Sequence, residues 1–265
     1  MNEPLVSIIM GVYNSEKTVE NAIESIINQT YKNWEFIICD DNSKDKTYKI
    51  LEEYEKKDFR IKILRNSKNL KLAASLNKCL KYSKGKYIAR MDADDISLPM
   101  RLEKQVKFLE TNSLYDVVGA GAKIMDGKSI SGLRICKDIV DKYDVLYGPP
   151  HIHPTIMMKK NVYDSLKGYK VSSYTNRGQD WEMWFRFYAS GYSGYNMQEP
   201  LIVYHESKED YKKRTFKTAV NYSKIAYKGC KILKISRLKY FIALKPLFSF
   251  LLPEILKKKI RKEKL

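Results

Sequence analysis

The sequence predicts an α/β fold, a mostly parallel sheet flanked by helices, followed by a basic helical extension. Three observations carry that expectation. Short apolar runs alternate with apolar stripes at helical spacing four times within about 110 residues, the pattern of strands joined by crossover helices. Acidic or polar clusters close the first, second and fourth runs, at the strand ends where such sheets hold ligands. Hydrophobic residues make up 44% and aromatics 12% of the 265 residues, enough for a sizeable core, and twelve Gly with eight Pro exclude a collagen-like or low-complexity chain.

The elements follow in order. Leu5–Met10 reads as a short buried strand, closed by Gly11 and the turn-prone Asn14-Ser15. Val19, Ile23, Ile26 and Ile27 recur at helical spacing, with Glu16, Glu20 and Glu24 on the opposite side. Trp34–Cys39 is a second strand ending at Asp40-Asp41-Asn42-Ser43, and Ile50, Leu51 and Tyr54 mark the helix after it. Ile61–Leu64 is a third strand, followed by the stripe Leu72, Leu76, Cys79 and Leu80. Tyr87–Met91 is a fourth, running into Asp92-Ala93-Asp94-Asp95. Leu102, Val106 and Leu109 then give a helix, and Tyr115–Ile124 a further strand. From Gly148 the alternation fades into a region rich in Tyr, Trp and Met that ends near His205.

Charge divides the chain. The net charge is +18, yet residues 206–265 hold 18 basic and 5 acidic residues, so 13 of the 18 excess charges lie in the tail. That asymmetry suggests two parts with different tasks. The four cysteines (Cys39, Cys79, Cys136, Cys230) share no C-x-x-C spacing, which argues against a zinc ribbon or a thioredoxin-like site and fits a reducing compartment. Glu3 and Pro4 precede only a short apolar run with no basic residues before it, so no secretory signal is expected.

Two acidic clusters are candidates for chemistry. In an extended segment, Asp92 and Asp94 point the same way, towards one hard cation. Such a cation neutralises the charge that develops on a departing diphosphate. The same residues could instead form an acidic turn capping the helix that begins near Leu98-Pro99. Asp40-Asp41 poses an equal choice between a helix cap and a ligand contact.

The order of motifs Val6-Ser7-Ile8-Ile9-Met10-Gly11-Val12-Tyr13-Asn14, Cys39-Asp40-Asp41-Asn42-Ser43 and Ala89-Arg90-Met91-Asp92-Ala93-Asp94-Asp95 resembles the family 2 glycosyltransferases over roughly residues 4–205. These are inverting enzymes of the GT-A fold that use nucleotide-sugar donors, and the resemblance is nearest to bacterial members that build capsule, O-antigen and other exopolysaccharides. It implies that Val12, Tyr13, Asn14 and Glu16 line a nucleoside pocket, that Asp41 with Asp40 contacts uracil, and that Arg90 and Asp92 belong to the donor site. Asp94 would ligate Mn2+ or Mg2+ beneath the diphosphate, as the second acid of the Asp-x-Asp (DXD) motif. Gln179-Asp180-Trp181 resembles the family's Glu-Asp motif with Gln in place of Glu, which makes Asp180 the base; the residues alone would leave Asp180 as a helix cap. Trp181, Trp184, Phe185 and Tyr188 behind it are expected in the core. His205 matches a histidine that reaches back to the metal or diphosphate, and His153-Pro154-Thr155 a segment near the acceptor.

Two departures stand out. Gly11 replaces a common Pro, and Lys71 occupies a position that usually carries Gly, where a bulky cation needs negative φ or must point at the diphosphate.

The expected organisation is a catalytic domain over 1–210, with a nucleotide-sugar half (1–115) and an acceptor half (116–210), and a basic amphipathic extension over 211–265. The apolar stretch Tyr240–Leu252, interrupted by Lys245 and Pro246, is too short to span a bilayer. Its mixture of apolar and basic residues fits an interfacial helix on an anionic membrane surface for 238–262, whereas 212–235 could equally pack on the catalytic domain.

Two rival classes fit part of the sequence. A nucleotidyltransferase would favour a Gly- and Lys/Arg-rich first loop, which Gly11-Val12-Tyr13-Asn14-Ser15 is not. A nucleic-acid-binding protein fits the net charge, but acidic clusters crowd the expected cleft, and no nucleic-acid partner is expected. The expectation is an inverting, metal-dependent transferase that moves a hexose or N-acetylhexosamine from a UDP-sugar to a saccharide acceptor linked to polyprenyl diphosphate. It would work in the cytoplasm, peripherally on the inner face of the cell membrane.

Overall fold

The computed structural model describes residues 3–127, 129–206 and 215–251. Its first half is a run of strands and crossover helices: β1 (Val6–Val12), α1 (Val19–Ile27), β2 (Trp34–Asp40), α2 (Thr47–Lys57), β3 (Ile61–Arg65), α3 (Leu72–Tyr82) and β4 (Tyr87–Arg90). These four strands are parallel, in the order β3-β2-β1-β4. Every strand expected from the apolar runs is present, with ends shifted by at most two residues.

The second half is mixed. It comprises β5 (Ile96–Ser97), α4 (Arg101–Thr111), β6 (Val117–Asp126), β7 (Ser129–Arg134), β8 (Met157–Lys159), α5 (Lys160–Ser165), α6 (Gln179–Ala189) and β9 (Gly194–His205). The sheet continues β4-β8-β6-β9-β5, with β8 antiparallel to both neighbours, β6 parallel to β9, and β7 a hairpin partner of β6. β5 and β8, of two and three residues, carry too little pattern to be read from sequence.

Alternation along the strands divides the core. Ile9, Ile37, Cys39 and Ile88 face Leu76, Cys79, Met183 and Trp184. Ile8, Met10, Phe36, Ile38 and Ala89 face Ala22, Ile23, Leu51 and Leu102. Successive side chains point to opposite faces, and both faces are covered, so these strands read as unbroken apolar runs. Trp181, Trp184, Phe185 and Tyr188 of α6 are buried, as their spacing predicts.

The C-terminal part begins with α7 (Phe216–Ile232), capped by the Thr215 hydroxyl, which accepts the Thr218 N–H. It packs on α6: Tyr222 lies 6.0 Å, ring to ring, from Trp181. A Cβ on Gly229 would meet the Phe185 ring at 2.3 Å, so only glycine lets the helices approach this closely. Of the two readings for 212–235, the described residues show packing on the catalytic domain. A 3₁₀ segment (Arg237–Leu244) and α8 (Lys245–Leu251) follow. The boundary expected at residues 210 and 211, and the end of the expected membrane segment, lie outside the described residues.

Candidate active site

The parallel strands deliver their loops to one edge. β1 ends in a turn where Asn14 has a left-handed φ of 52°, a conformation that asparagine tolerates. The Asn14 side-chain oxygen accepts the Lys44 N–H (2.9 Å), Ser43 Oγ accepts the Asn14 N–H (3.0 Å), and Glu16 Oε2 accepts the Lys46 N–H (2.9 Å). Asp45 accepts the Glu16 and Thr47 N–H groups (3.1 and 3.0 Å). These hydrogen bonds hold its carboxyl below the ordinary range even though burial acts to raise it. The β1–α1 and β2–α2 loops are thus laced together by side chains.

Asp40 and Asp41 are buried and do the same work. Asp40 accepts the Ser43 N–H (3.2 Å) and pairs with Arg65 Nε (3.2 Å). Asp41 accepts three hydrogen bonds, each at 2.8 Å, from Asn66 Nδ2 and from the backbone N–H groups of Leu70 and Lys71. Its backbone N–H donates to the Val12 carbonyl at 2.8 Å, tying the two strand ends together. Lys71 has φ 73° and ψ 163°, a region populated essentially by glycine, so the alternative of negative φ is overturned: the loop keeps its glycine-like path with a lysine in it.

A cleft of about 570 Å³ opens beside these loops. Tyr13, Asn14, Glu16, Asp45, Asp92 and Asp94 are among the residues that line it. Val12 is buried beneath it, and neither Asp40, Asp41 nor Arg90 reaches its wall.

The acidic loop lies at the end of β4. Ligand atoms of Asp92, Asp94 and Asp95 lie within 4.8 Å of one another. Asp94 is exposed, Asp92 half-buried and Asp95 buried. Antiparallel pairing of Ile96 with Val203 and Ser97 with Ile202 brings the end of β9 to this loop, where the His205 N–H donates to Asp95 Oδ1 at 3.0 Å. Asp95 Oδ2 and His205 Nδ1 are buried with no hydrogen-bond partner among the described residues. Burial, reinforced by Asp92 and Asp94, pushes the Asp95 carboxyl well above the usual range. Carboxylate oxygens with an imidazole nitrogen suit a hard divalent ion, and the unpartnered atoms fit that reading.

Asp95 was not singled out as a ligand from sequence. Its signal was the third acid of Asp92-Ala93-Asp94-Asp95, but only the β5–β9 pairing shows that it faces His205.

Asp180 sits in the first turn of α6, behind Gly178 at φ 85°. Burial raises its carboxyl above the usual range, opposed by the Trp181 N–H and the Arg90 charge. The Asp92 charge adds slightly to that rise.

His151 and His153 lie behind this region in buried networks. His151 meets Asn196 Oδ1 and the Tyr188 hydroxyl, each at 2.7 Å, and burial pushes its pKa down to about 4. His153 Nε2 meets the Tyr169 hydroxyl at 2.8 Å.

A doubly covered sheet with a cleft at its strand ends and an acidic loop beside it is the arrangement of the GT-A fold. The glycosyl transferase family 2 model matches residues 7–170, and the chain belongs to that family. It is 42% identical over 262 residues to a putative glycosyltransferase, EpsE, of Bacillus subtilis, covering 98% of this chain and 94% of that protein. It is 41% identical over 133 residues, half of this chain and 51% of the other, to WfgD of Escherichia coli, a UDP-Glc:alpha-D-GlcNAc-diphosphoundecaprenol beta-1,3-glucosyltransferase. Among solved structures, the fold matches residues 1–349 of Staphylococcus aureus TarS in complex with UDP-GlcNAc (TM-score 0.66, 19% identity), covering 89% of this chain and 74% of that one. It also matches a mannosyltransferase from Pyrobaculum calidifontis in complex with GDP-Man and Mn2+ (TM-score 0.64, 17% identity, 92% and 73% covered).

Proposed function

We propose that this glycosyltransferase moves a hexose or N-acetylhexosamine from a UDP-sugar, with inversion, to a saccharide carried on polyprenyl diphosphate, in assembly of a bacterial surface polysaccharide. The observation that carries the reading is that Asp92 and Asp94 line the cleft while the adjoining Asp95 meets His205 at the end of β9; Asp180 is assigned as the base from its resemblance to the family motif. The uridine specificity and the lipid-linked acceptor rest on the names of the relatives and of the UDP-GlcNAc complex.

Asp94, Asp95 and His205 would hold Mn2+ or Mg2+, with Asp92 beside them. When bound, that ion neutralises charge on the departing diphosphate. The remaining work belongs to the chain. Tyr13, Asn14 and Glu16 receive the nucleoside in the cleft, and Asp40 and Asp41 act on it by fixing the loops that form its wall. Asp180 accepts the proton of the acceptor hydroxyl as that oxygen bonds to the anomeric carbon and the bond from this carbon to the diphosphate oxygen breaks on the opposite face. A carboxyl raised by burial is better matched to this task than a free aspartate, because its conjugate base is stronger.

The C-terminal extension supplies location. Leu238, Phe241, Phe248 and Leu251 are exposed among Arg237, Lys239 and Lys245. No helix among the described residues is long and apolar enough to cross a membrane. Exposed apolar side chains among cations suit the anionic cytoplasmic leaflet, where a lipid-linked acceptor is presented.

The test is a screen of nucleotide sugars for metal-dependent release of the nucleotide. UDP released from a UDP-hexose or UDP-N-acetylhexosamine on addition of a polyprenyl-diphosphate saccharide, and lost in Asp180→Asn, supports the reading. Undiminished transfer by Asp180→Asn would overturn the base assignment.

A further inference from the structure

The C-terminal extension carries its charge without compensation. Residues 216–251 hold eight Lys or Arg and no acid. The four lysines of α7 (Lys217, Lys224, Lys228 and Lys231) are spaced seven, four and three apart, which sets them along one stripe of the helix. Like charges three or four residues apart repel on a helix surface, and α7 has no acid to offset them.

Part of that stripe converges on the turn leading into α6. Tyr174 is 8% exposed, in a turn fixed by Thr175, whose Oγ1 donates to the Lys170 carbonyl (2.7 Å) and accepts the Ser172 N–H (3.0 Å). Three ammonium groups gather on its ring: Lys228 at 4.2 Å from the centroid, Lys224 at 5.3 Å and Lys170 at 5.7 Å. None of the three forms an ion pair among the described residues. The Tyr174 hydroxyl is buried and makes no hydrogen bond among the described residues. Burial acts to raise this hydroxyl, yet Lys170 and Lys228 hold it below the usual phenol value. One ring attracts a cation weakly and does not offset three that repel one another, whereas an anion with several oxygens does.

The cluster adjoins the proposed base. A Cβ on Gly178 would meet the Tyr222 ring at 2.5 Å and Ile225 Cδ1 at 3.0 Å, so α7 is pressed against the residue two before Asp180. Asp180 follows Tyr174 by six residues, a span of at most about 20 Å even for an extended chain. None of the three lysines lines the donor cleft.

We propose that Lys170, Lys224 and Lys228, gathered over Tyr174, bind the diphosphate of the lipid-linked acceptor, so that the saccharide beyond it reaches Asp180. A leaflet surface needs only cations spread over an exposed face, as Arg237, Lys239 and Lys245 are; convergence on one buried ring suits a compact anion.

The inference rests on the glycosyl-transfer reading and deepens it to the acceptor. The probes are a farnesyl-diphosphate-linked N-acetylhexosamine and the matching farnesyl N-acetylhexosaminide without the diphosphate, each titrated into the full chain in neutral detergent micelles and read by calorimetry. Wild type is expected to bind the diphosphate probe about tenfold or more tighter than the neutral one. Lys170→Gln/Lys228→Gln is expected to lose about tenfold for the diphosphate probe, with affinity for the neutral probe and for UDP within about twofold of wild type. Lys224→Gln, a single exposed change, should lose about threefold in the same direction. Lys217→Gln/Lys231→Gln removes the same charge from the extension as a paired control and is expected to keep the diphosphate probe within about twofold.

Unchanged affinity for the diphosphate probe in Lys170→Gln/Lys228→Gln overturns the proposal, and equal losses in the two double variants overturn it in favour of a diffuse field. Lost UDP affinity would place the donor there and overturn it as well. So would a Lys170→Gln/Lys228→Gln chain that keeps the probe but no longer sediments with phosphatidylglycerol–phosphatidylcholine vesicles, which would mark a headgroup site. Binding needs no turnover. A wild type that holds the diphosphate probe through these lysines yet transfers no sugar strikes the glycosyl-transfer reading, whereas transfer with binding indifferent to the lysines strikes this inference alone.

Discussion

The acids of the two half-sites are used in opposite ways. On the β1–β3 side, Glu16, Asp40, Asp41 and Asp45 each accept backbone N–H groups, so their charge is spent on the shape of the loops. At the end of β4 the acids crowd together instead. Among the described residues, one Asp95 oxygen and His205 Nδ1 have no hydrogen-bond partner, although both atoms are buried. Satisfied polar groups make a rigid wall, and unsatisfied ones store a cost that a bound cation would remove. One side is finished in the free protein; on the proposed reading, a cation would complete the other.

That contrast breaks first if the poised side proves dispensable. Asp180→Asn is expected to lower kcat by about 10²–10⁴-fold with UDP affinity largely intact, the range for losing a general base. Its carboxyl is raised above the usual aspartate range, so wild-type kcat should fall as pH drops through that value and protonates the base. The residual rate of the Asn variant should lack this acid limb, which a pH series of kcat checks. Asp94→Ala is expected to abolish the Mn2+-dependent part of UDP binding, read by calorimetry with and without chelator. UDP binding that is equally metal-dependent in this variant would move the cation site elsewhere.

The finished side should respond in stability before chemistry. Asp41→Ala leaves the Leu70 and Lys71 N–H groups and the Asn66 amide without their acceptor. Leu70 and Lys71 are exposed, so water can reach their N–H groups, and Asn66 Nδ2 keeps the Ser75 hydroxyl; a net loss of about 1–3 kcal/mol is expected, measured by urea unfolding. Donor KM should rise as the loop loosens, with kcat less affected. A collapse of kcat at unchanged stability would mean that Asp41 acts as a poised group after all.

How far the sequence reached follows the same division. The strands β1–β4 and the helices between them were legible because burial on both sides writes unbroken apolar runs, and α6 because Trp181, Trp184, Phe185 and Tyr188 keep helical spacing. The strand-end acids were legible as candidates. Their division of labour was not, since an aspartate after a strand looks the same whether it accepts Lys71 N–H or waits for a cation. Asp95 facing His205 depends on pairing across about 110 positions, between two-residue β5 and the end of β9, which no local pattern encodes. The burial of Arg90 was equally hidden, because a charged residue ending a strand reads as a cleft residue until Asp92, Arg101 and Ile156 are seen around it.

The smallest expected effect tests how firmly the finished side is held. Lys71 is kept at φ 73° and ψ 163° by the Asp41 carboxylate on its N–H, at a cost of about 1–3 kcal/mol for a non-glycine residue. Lys71→Gly removes that strain and loses about 0.5–1 kcal/mol of unfolded-state entropy, leaving a net stabilisation of about 1 kcal/mol. For a chain of this size that raises the melting temperature by about 2–4 °C, which calorimetry resolves. The gain should shrink when Asp41→Ala is also present, because the loop is then free to relax and no strain remains to relieve. An equal gain in both backgrounds would mean that the loop is held by something other than Asp41, and the account of a carboxylate-laced wall would fail at its most strained point.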